Sequence, residues 1–455
     1  MDVKGQKVSV IGAAKSGIAA AKVLAQKGAV VLLSDTLPYE KLKNALEKAH
    51  LSSDISVETG GHTDKVLNAD FIVLSPGVPP EIPILKRAVA AKIPIHSEIE
   101  IAYRLSKGKR LVVTGSNGKT TTTSLLAEFC RKDFPRVHLG GNIGFPMIEF
   151  AGETTDSDIQ VIEVSSFQLE TISSFRPDIG IITNFYENHL DRYPSFEAYC
   201  EAKQRISMNM KDRDILILNS DQMSENSSFL KNLKCRKAWF GWDLRDRIPG
   251  TTIKNGTFVF IDEKRNETAL FSPEIARIFG RHNHENIMAA VTAAILCGVN
   301  PRNLESVVAQ FPGVEHRLEW VRELGGVTFI NDSKGTNCAA SQIALKACKG
   351  SIILIAGGRD KGTELFEWVS TVREKAKGVV LLGEAKERFR AALEGIVPLK
   401  MGKDFEDSVR LAVDWAQPGD TVLLSPACSS YDMFPNFEVR GKTFKDLIYS
   451  LPGKK

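Results

Sequence analysis

The sequence predicts an α/β chain of three domains with mostly parallel sheets, and three observations carry that expectation. The first is size: at 455 residues, with roughly 100 to 200 residues to a domain, a single core is excluded. The second is alternation. Short β-branched and aliphatic runs alternate with stretches of helical apolar spacing, as strands do when crossover helices cover both faces of a sheet. The third is one interruption, residues 237–271, where short strand-like runs follow one another and Asn255-Gly256 marks a tight hairpin.

Residues 7–11 read as a strand ending at Gly12, 17–27 as a helix and 30–34 as a second strand, which closes a βαβ unit. A further strand, 71–74, ends in Ser75-Pro76-Gly77, and residues 93–98 lead out of this Rossmann-like first domain, 1–95. A strand at 111–114 opens the central domain, 96–312, which continues through strands at 159–164, 179–183 and 215–219, the small antiparallel patch, and a helix over 283–297. Strands at 327–331, 351–356, 378–382 and 421–425 build a Rossmann-like third domain, 313–455, with its boundary near Pro312-Gly313.

Composition narrows the function classes. With 43% hydrophobic and 25% charged residues, and no apolar run near the ~20 residues a membrane helix needs, a membrane span is not expected. Fifty-nine Lys and Arg against 55 Asp and Glu leave +4 dispersed along the chain, so no nucleic-acid footprint stands out. Seven cysteines without a C-x-x-C pair argue against a disulfide framework or zinc site. Together with an N-terminal stretch unlike a signal peptide, they lead us to expect a cytoplasmic protein. A monomer is expected as well.

Open parallel sheets bind ligands at the carboxyl ends of their strands. In the first domain that position holds Gly12-Ala13-Ala14-Lys15-Ser16-Gly17, which lacks the middle glycine of a dinucleotide fingerprint but can still hold a diphosphate at a helix N-terminus. Asp35 and Thr36, after the second strand, can accept hydrogen bonds from a ribose or a base. The second domain carries a stronger signal, Gly115-Ser116-Asn117-Gly118-Lys119-Thr120 between an apolar strand and a helix. This is a phosphate-binding loop: glycines let amides curl around phosphate oxygens, Lys119 reaches the β and γ phosphates, and the Thr120 hydroxyl suits Mg²⁺. The central domain is therefore expected to be of the P-loop ATPase type.

Glu163 ends a buried strand at the ligand side, where a carboxylate is costly without a cation, so Mg²⁺ is its natural partner. His189 lies in the loop after the next strand. Lys203 falls in the apolar stripe Phe196, Tyr199, Cys200, Ile206 and Met210, on the face a lysine normally avoids. A buried lysine needs a partner, a lowered pKa or a chemical change such as carbamylation by CO₂, which turns the cation into an anionic oxygen ligand. The third domain offers polar loops at 331–337, 357–361 and 425–430, which together make a face for an anionic substrate.

The set formed by the phosphate loop, Gly141-Asn142-Ile143-Gly144, Glu163-Val164-Ser165-Ser166-Phe167-Gln168-Leu169-Glu170, His189, Lys203, Gly280-Arg281-His282-Asn283, His316-Arg317 and Asn331-Asp332-Ser333-Lys334 resembles the Mur ligases of peptidoglycan synthesis. The resemblance covers essentially the whole chain in the family's motif order. Residues 165–170 and the tail 425–437 look like the branch that adds D-glutamate to UDP-N-acetylmuramoyl-L-alanine. The resemblance implies ATP-driven amide formation through an acyl phosphate. It also implies that Gly115, Ser116, Asn117, Gly118, Lys119, Thr120, Thr121, Asn283, Arg317 and Asp332 hold ATP, the last two from the far side of a cleft. Thr120, Glu163, His189 and carbamylated Lys203 would hold Mg²⁺, with Lys119, His189 and Lys203 in the catalytic roles. Ser16, Asp35, Thr36, Gly77, Asn142 and Gln168 would contact the UDP-substrate, and Lys334, Thr336, Lys361, Ser430 and Phe437 would bind D-glutamate. Asn188 stands where relatives commonly carry an aspartate.

Other readings of the same residues stay open on sequence. They are another Mur ligase, a folate polyglutamate synthetase-like ligase, and a nucleotide-dependent regulatory module that uses the loop without making product. The first loop's missing glycine weakens an NAD-dependent oxidoreductase.

Overall fold

The computed structural model describes residues 1–187, 192–224, 227–278, 280–360, 362 and 364–452. The chain forms two compact units, Met1–Pro273 with Glu285–Val307, and Glu274–His284 with Val308–Lys455. Three sheets are distributed between them, two in the first unit and one in the second.

The first sheet contains β1 (Lys7–Ile11), β2 (Val30–Ser34), β3 (Ile55–Glu58), β4 (Phe71–Leu74) and β5 (Ile95–Ser97), all parallel, in the order β3-β2-β1-β4-β5. The second contains β6 (Lys109–Thr114), β7 (Val137–Gly141), β8 (Ile159–Glu163), β9 (Ile179–Ile182), β10 (Ile215–Asn219), β11 (Arg236–Phe240), β12 (Gly250–Lys254), β13 (Thr257–Ile261) and β14 (Glu267–Phe271). Its order is β14-β13-β12-β11-β10-β9-β6-β8-β7, with β12, β13 and β14 as the antiparallel patch at one edge. The second unit carries β15 (Glu319–Leu324), β16 (Val327–Asn331), β17 (Ser351–Gly357), β18 (Ala376–Leu382), β19 (Leu399–Met401) and β20 (Asp420–Leu424), ordered β15-β16-β20-β17-β18-β19.

Each sheet is buried on both faces where the sequence shows a continuous apolar run. In β17, Ile352, Leu354 and Ala356 enter one core, while Ile353 and Ile355 enter the core on the opposite face. The strands that the apolar pattern does not mark, β3, β5, β7, β15 and β19, all lie at or next to sheet edges in the strand order. An edge strand has one open side and needs no unbroken apolar run, and β3 accordingly reads Ile-Ser-Val-Glu with its centre exposed.

The stripe that contains Lys203 departs from the expected geometry. The regular helix is Phe196–Gln204, followed by a 3₁₀ turn at Arg205–Ser207. Ile206 and Met210, 0% and 3% exposed, enter the main core of the unit, while Tyr199 packs in a smaller cluster with Tyr193 and Ala202.

Candidate active site

The phosphate loop joins β6 to the helix Lys119–Cys130. Gly115 and Gly118 have φ of 141° and 79°, and a Cβ on Gly118 would sit 2.0 Å from the Asn286 amide oxygen. Both positions therefore require glycine for conformation and for space. The loop is pinned from β9's end: Thr183 Oγ1 donates to the Asn117 carbonyl at 2.6 Å, and the Asn184 amide oxygen accepts from the Asn117 N–H at 2.8 Å. Lys119 Nζ donates to the Gly115 and Ser116 carbonyls at 2.9 and 3.0 Å, so its ammonium lies over the cradle formed by its own loop. Thr120 is half-buried and Thr121 buried in the first turn of the helix. Thr183, Asn184 and Asn286 shape the loop from distant sequence positions, and polar residues directly after β9 were the only available signal.

Glu163 ends β8 beside β6 and is 1% exposed. Its Oε1 accepts from the Asn142 amide at 2.8 Å, while Oε2 has no hydrogen-bond partner among the described residues. Lys203 is 2% exposed, with Nζ 4.4 Å from the centre of the Tyr199 ring. Burial, reinforced by the nearby Lys119 charge, pulls its ammonium down to about 7, while Glu163 acts in the opposite direction. Tyr199 also donates to Ser116 Oγ at 3.1 Å, which ties this helix to the phosphate loop. The structure thus brings Ser116, Lys119, Asn142, Glu163 and Lys203 into one locality. His189 and Asn188 lie outside the described residues.

The first-domain loop explains its own partial fingerprint. A Cβ at Gly17 would lie 1.8 Å from the Gly12 carbonyl oxygen and one at Gly12 2.9 Å from Ser75, so the outer glycines are steric requirements. Ala14, in place of the middle glycine, has an ordinary extended backbone with φ of −82°. Asp35 is braced to this loop: Oδ2 accepts from the Ala13 N–H at 2.6 Å and Oδ1 from the Leu37 N–H at 2.8 Å. Ser16 is half-buried, Thr36 and Gly77 are exposed, and nothing approaches Gly77 on its side-chain side. Lys15 Nζ donates to the Gly144 carbonyl, linking this loop to the one that carries Asn142. Gln168 is buried, and its side-chain oxygen accepts from the Ser165 N–H at 2.9 Å in a capping box, so that oxygen serves the helix start. Glu170, Arg192 and Tyr193 form a cluster that sequence reading missed. Arg192 donates to Glu170 at 2.9 Å and to the Pro76 carbonyl at 3.3 Å.

In the second unit the three polar loops are stitched together through their backbones. The Ala427 N–H donates to the Gly335 carbonyl at 2.9 Å, the Gly357 N–H to Pro426 at 2.8 Å, and the Arg359 N–H to Ser429 at 3.0 Å. Arg440, which sequence reading did not single out, is 1% exposed and donates to the Ser333 and Cys428 carbonyls at 2.8 and 3.2 Å. Asp332 is 5% exposed, and burial raises its carboxyl to about 7 against hydrogen bonds from Ser425 Oγ at 2.7 Å and the Leu318 N–H at 3.2 Å. Asn283 is buried and Arg317 exposed in this unit, and the Arg317 charge is felt at His282. Lys334 is exposed with Nζ 5.7 Å from the Phe437 ring centre, Ser430 is buried, and Thr336 and Phe437 are half-buried. Lys361 lies outside the described residues.

An open α/β sheet with a phosphate loop, a buried carboxylate beside it and a buried lysine facing both defines an ATP-using enzyme class, and comparison with known proteins specifies the family. The model of the Mur ligase MurD-like N-terminal domain matches residues 6–97, that of the Mur ligase middle domain 113–294, and that of the Mur ligase glutamate ligase domain 316–428. The chain belongs to the Mur ligase family. It is 42% identical over 458 residues to the UDP-N-acetylmuramoylalanine--D-glutamate ligase of Acidobacterium capsulatum, covering 100% of this chain and 98% of the relative. It is also 42% identical to the enzyme of that name from Thermoanaerobacter pseudethanolicus, covering 99% and 100%. Among solved structures, the UDP-N-acetylmuramate-alanine ligase MurC of Thermotoga maritima matches with a TM-score of 0.59 at 19% identity over 98% of this chain and 99% of that one. The MurF ligase of the same organism, in complex with ADP, gives 0.53 at 17% over 98% and 96%. These two establish a shared fold. Among the described residues no helix is long and apolar enough to cross a membrane.

Proposed function

We propose that the protein is an ATP-dependent carboxylate–amine ligase that joins D-glutamate to UDP-N-acetylmuramoyl-L-alanine in peptidoglycan precursor synthesis. The observation that carries the reading is the convergence of the phosphate loop, Glu163 with its unpartnered oxygen, and the buried Lys203 at the ends of β6 and β8. Residues 1–95 hold the UDP end, 96–312 the ATP and the reacting carboxylate, and 313–455 the amino acid.

The reaction needs charge to be positioned and neutralised more than it needs covalent chemistry from the protein. The substrate carboxylate oxygen attacks the γ-phosphorus of ATP and ADP leaves. The uncharged D-glutamate amine then attacks the acyl phosphate carbon, and phosphate leaves carrying the proton the nitrogen gives up as the amide forms. The amides of residues 115–121 cradle the phosphates, and Lys119 turns from its loop carbonyls to the γ-phosphoryl oxygens. Asn283, Arg317 and Asp332 are assigned to the nucleotide. Ser16, Asp35, Thr36, Gly77, Asn142 and Gln168 hold the UDP-muramoyl part. Lys334 and Lys361 meet the two carboxylates of D-glutamate, Thr336 and Ser430 donate hydrogen bonds, and Phe437 covers the methylenes.

The residues suit a divalent cation, because Glu163 offers a buried oxygen with no hydrogen-bond partner among the described residues. Thr120, Glu163, His189 and modified Lys203 would hold Mg²⁺, which when bound neutralises phosphate and carboxylate charge. An ammonium brought down to about 7 leaves much of Lys203 as free amine at neutral pH, the form that adds CO₂ to give a carbamate and release a proton.

Phosphate release across a panel of UDP-muramoyl acceptors and amino acids of both chiralities tests the reading. We expect turnover only with UDP-N-acetylmuramoyl-L-alanine and D-glutamate together. Comparable turnover with L-lysine, D-alanine or L-glutamate would overturn the amino-acid assignment, and hydrolysis without an acceptor would favour a nucleotide-dependent switch.

A further inference from the structure

At the end of the first sheet, beside Asp35, a chain of three side chains has no role in the site described so far. Ser34 and Glu58 are register partners at the ends of β2 and β3. Ser34 is 0% exposed, and its Oγ lies 2.7 Å from Glu58 Oε2 and 2.8 Å from His62 Nδ1. Thr63 completes the shell of Glu58 by donating its N–H at 3.2 Å and its hydroxyl to the two carboxylate oxygens. The loop Gly60-Gly61-His62 is tied over Asp35 and Leu37 by the Gly61 N–H to the Asp35 carbonyl at 3.2 Å and the Gly60 N–H to the Leu37 carbonyl at 2.9 Å. Nothing stands within 4 Å of a Cβ built on either glycine, so the space above the loop is open.

Hydrogen-bond accounting fixes the imidazole's tautomer. Burial would raise the Glu58 carboxyl, but hydrogen bonds from Thr63 and Ser34 outweigh it and keep the group below its ordinary value, ionised and able only to accept. Ser34 has one hydroxyl proton, and a 2.7 Å contact to a carboxylate places it there. The Ser34 oxygen is then an acceptor toward His62, so Nδ1 carries the imidazole proton. Burial lowers His62, against Asp35 and Glu58, which leaves the ring neutral at physiological pH with its lone pair on Nε2. No partner for Nε2 occurs among the described residues.

We propose that His62 Nε2 is the acceptor that reads the imide N3–H of the substrate's uracil, with Ser34 and Glu58 as positioning residues that hold the ring in this tautomer. Uracil presents a donor at N3, whereas cytosine presents a lone pair there, which would face the Nε2 lone pair. The relay therefore selects a uridine over a cytidine diphosphate without any charged contact to the base. The proposal deepens the reading above, since it rests on residues 1–95 holding the UDP end.

Calorimetry with UDP, CDP and 2′-deoxyuridine diphosphate on the full chain tests it. Wild type should favour UDP over CDP. His62→Ala should weaken UDP about tenfold, the scale of one lost hydrogen bond in a partly buried site, leave CDP no weaker than in wild type, and keep the preference for ribose over deoxyribose. A variant that retains the wild-type UDP to CDP ratio, or that loses only ribose discrimination, would overturn the proposal. If wild type binds no UDP, the assignment of the first domain fails and this proposal fails with it. ¹⁵N imidazole shifts on the unaltered protein give a second readout: Nδ1–H should dominate in the free enzyme, and the Nε2 signal should move on adding UDP but not CDP. A dominant Nε2–H tautomer would equally overturn the relay.

Discussion

Glu100 and Glu163 are buried glutamates of the same unit, 0% and 1% exposed, in regions built for opposite ends. Glu100, on the helix Glu98–Leu105, accepts from the N–H groups of Ser173, Ser174 and Phe175 at 3.0, 3.0 and 2.8 Å and pairs with Arg104 at 2.8 Å. Burial alone would raise its carboxyl, but hydrogen bonds from Ser174 and the neighbouring amides overcome it and hold the group at about 2. This carboxylate is fully occupied by the protein and holds the helix to the Ser173-Ser174 turn. Glu163, at the end of β8, keeps one oxygen without a hydrogen-bond partner among the described residues.

An unpartnered oxygen does not by itself make a site, as Glu98 demonstrates. Its Oε2 is also buried without a partner among the described residues, and its Oε1 accepts from the Ile148 N–H at 2.7 Å. Burial raises Glu98 to about 7, the Ile148 hydrogen bond opposes this, and the nearby Glu149 reinforces it. Burial there favours the protonated form. Glu163 instead lies among Lys203 and the phosphate loop, where a cation can take its free oxygen. The charges around a buried acid decide whether it serves the fold or a ligand.

The comparison breaks most sharply at Glu163. Glu163→Gln should lower kcat by about 10³ or more, the scale of removing a preorganised charge from a phosphoryl-transfer site, with little change in stability. Activity within tenfold of wild type would make Glu163 a structural acid like Glu100. Lys203 sharpens the same point. Its carbamate, followed by ¹³C spectroscopy under ¹³CO₂, should grow as pH rises through about 7 and the amine loses its proton. Lys203→Arg should fold, take up no CO₂ and lose turnover, since a permanent cation cannot become an oxygen ligand.

Glu100→Gln should act on stability instead, by about 3 kcal/mol, because amide donors lose the charge they were arranged around. Its folded value lies below the unfolded one, so its contribution is complete above about 4.5 and disappears as pH falls toward about 2. Urea unfolding of the variant should accordingly show a flatter acid limb than wild type. The smallest effect belongs to Glu98→Gln. With its folded value raised to about 7, Glu98 stabilises below its unfolded value of 4.5 and loses that contribution as pH rises through 7. The uncharged variant should match wild type within about 1 kcal/mol at pH 5 and exceed it at pH 8. A variant less stable at pH 8 would mean that Glu98 is charged and paired.

The difference between what could be read and what could not follows sequence distance. Strands such as β1, β4 and β10 were legible because burial on both faces leaves a local apolar run, and the phosphate loop because its glycine positions and lysine lie within six consecutive residues, 115–120. Edge strands were not, since one open side removes the pattern. Lys203 was legible as a misplaced charge on an apolar stripe. How far its proton affinity falls was not, because that depends on its burial and on Lys119 standing beside it in space.

By itself the sequence determined the three-domain α/β plan, the loop that cradles phosphate and the residue types at the strand ends. Only the tertiary structure decided the state of each group. Ser174, 74 residues from Glu100, helps keep that carboxylate ionised down to about pH 2. Asp35 is braced by the Ala13 amide, 22 residues away, and Ser34 bridges Glu58 and His62, 24 and 28 residues on. Desolvation and hydrogen-bond supply set protonation and tautomer, and both are sums over neighbours that the fold brings together from distant parts of the chain.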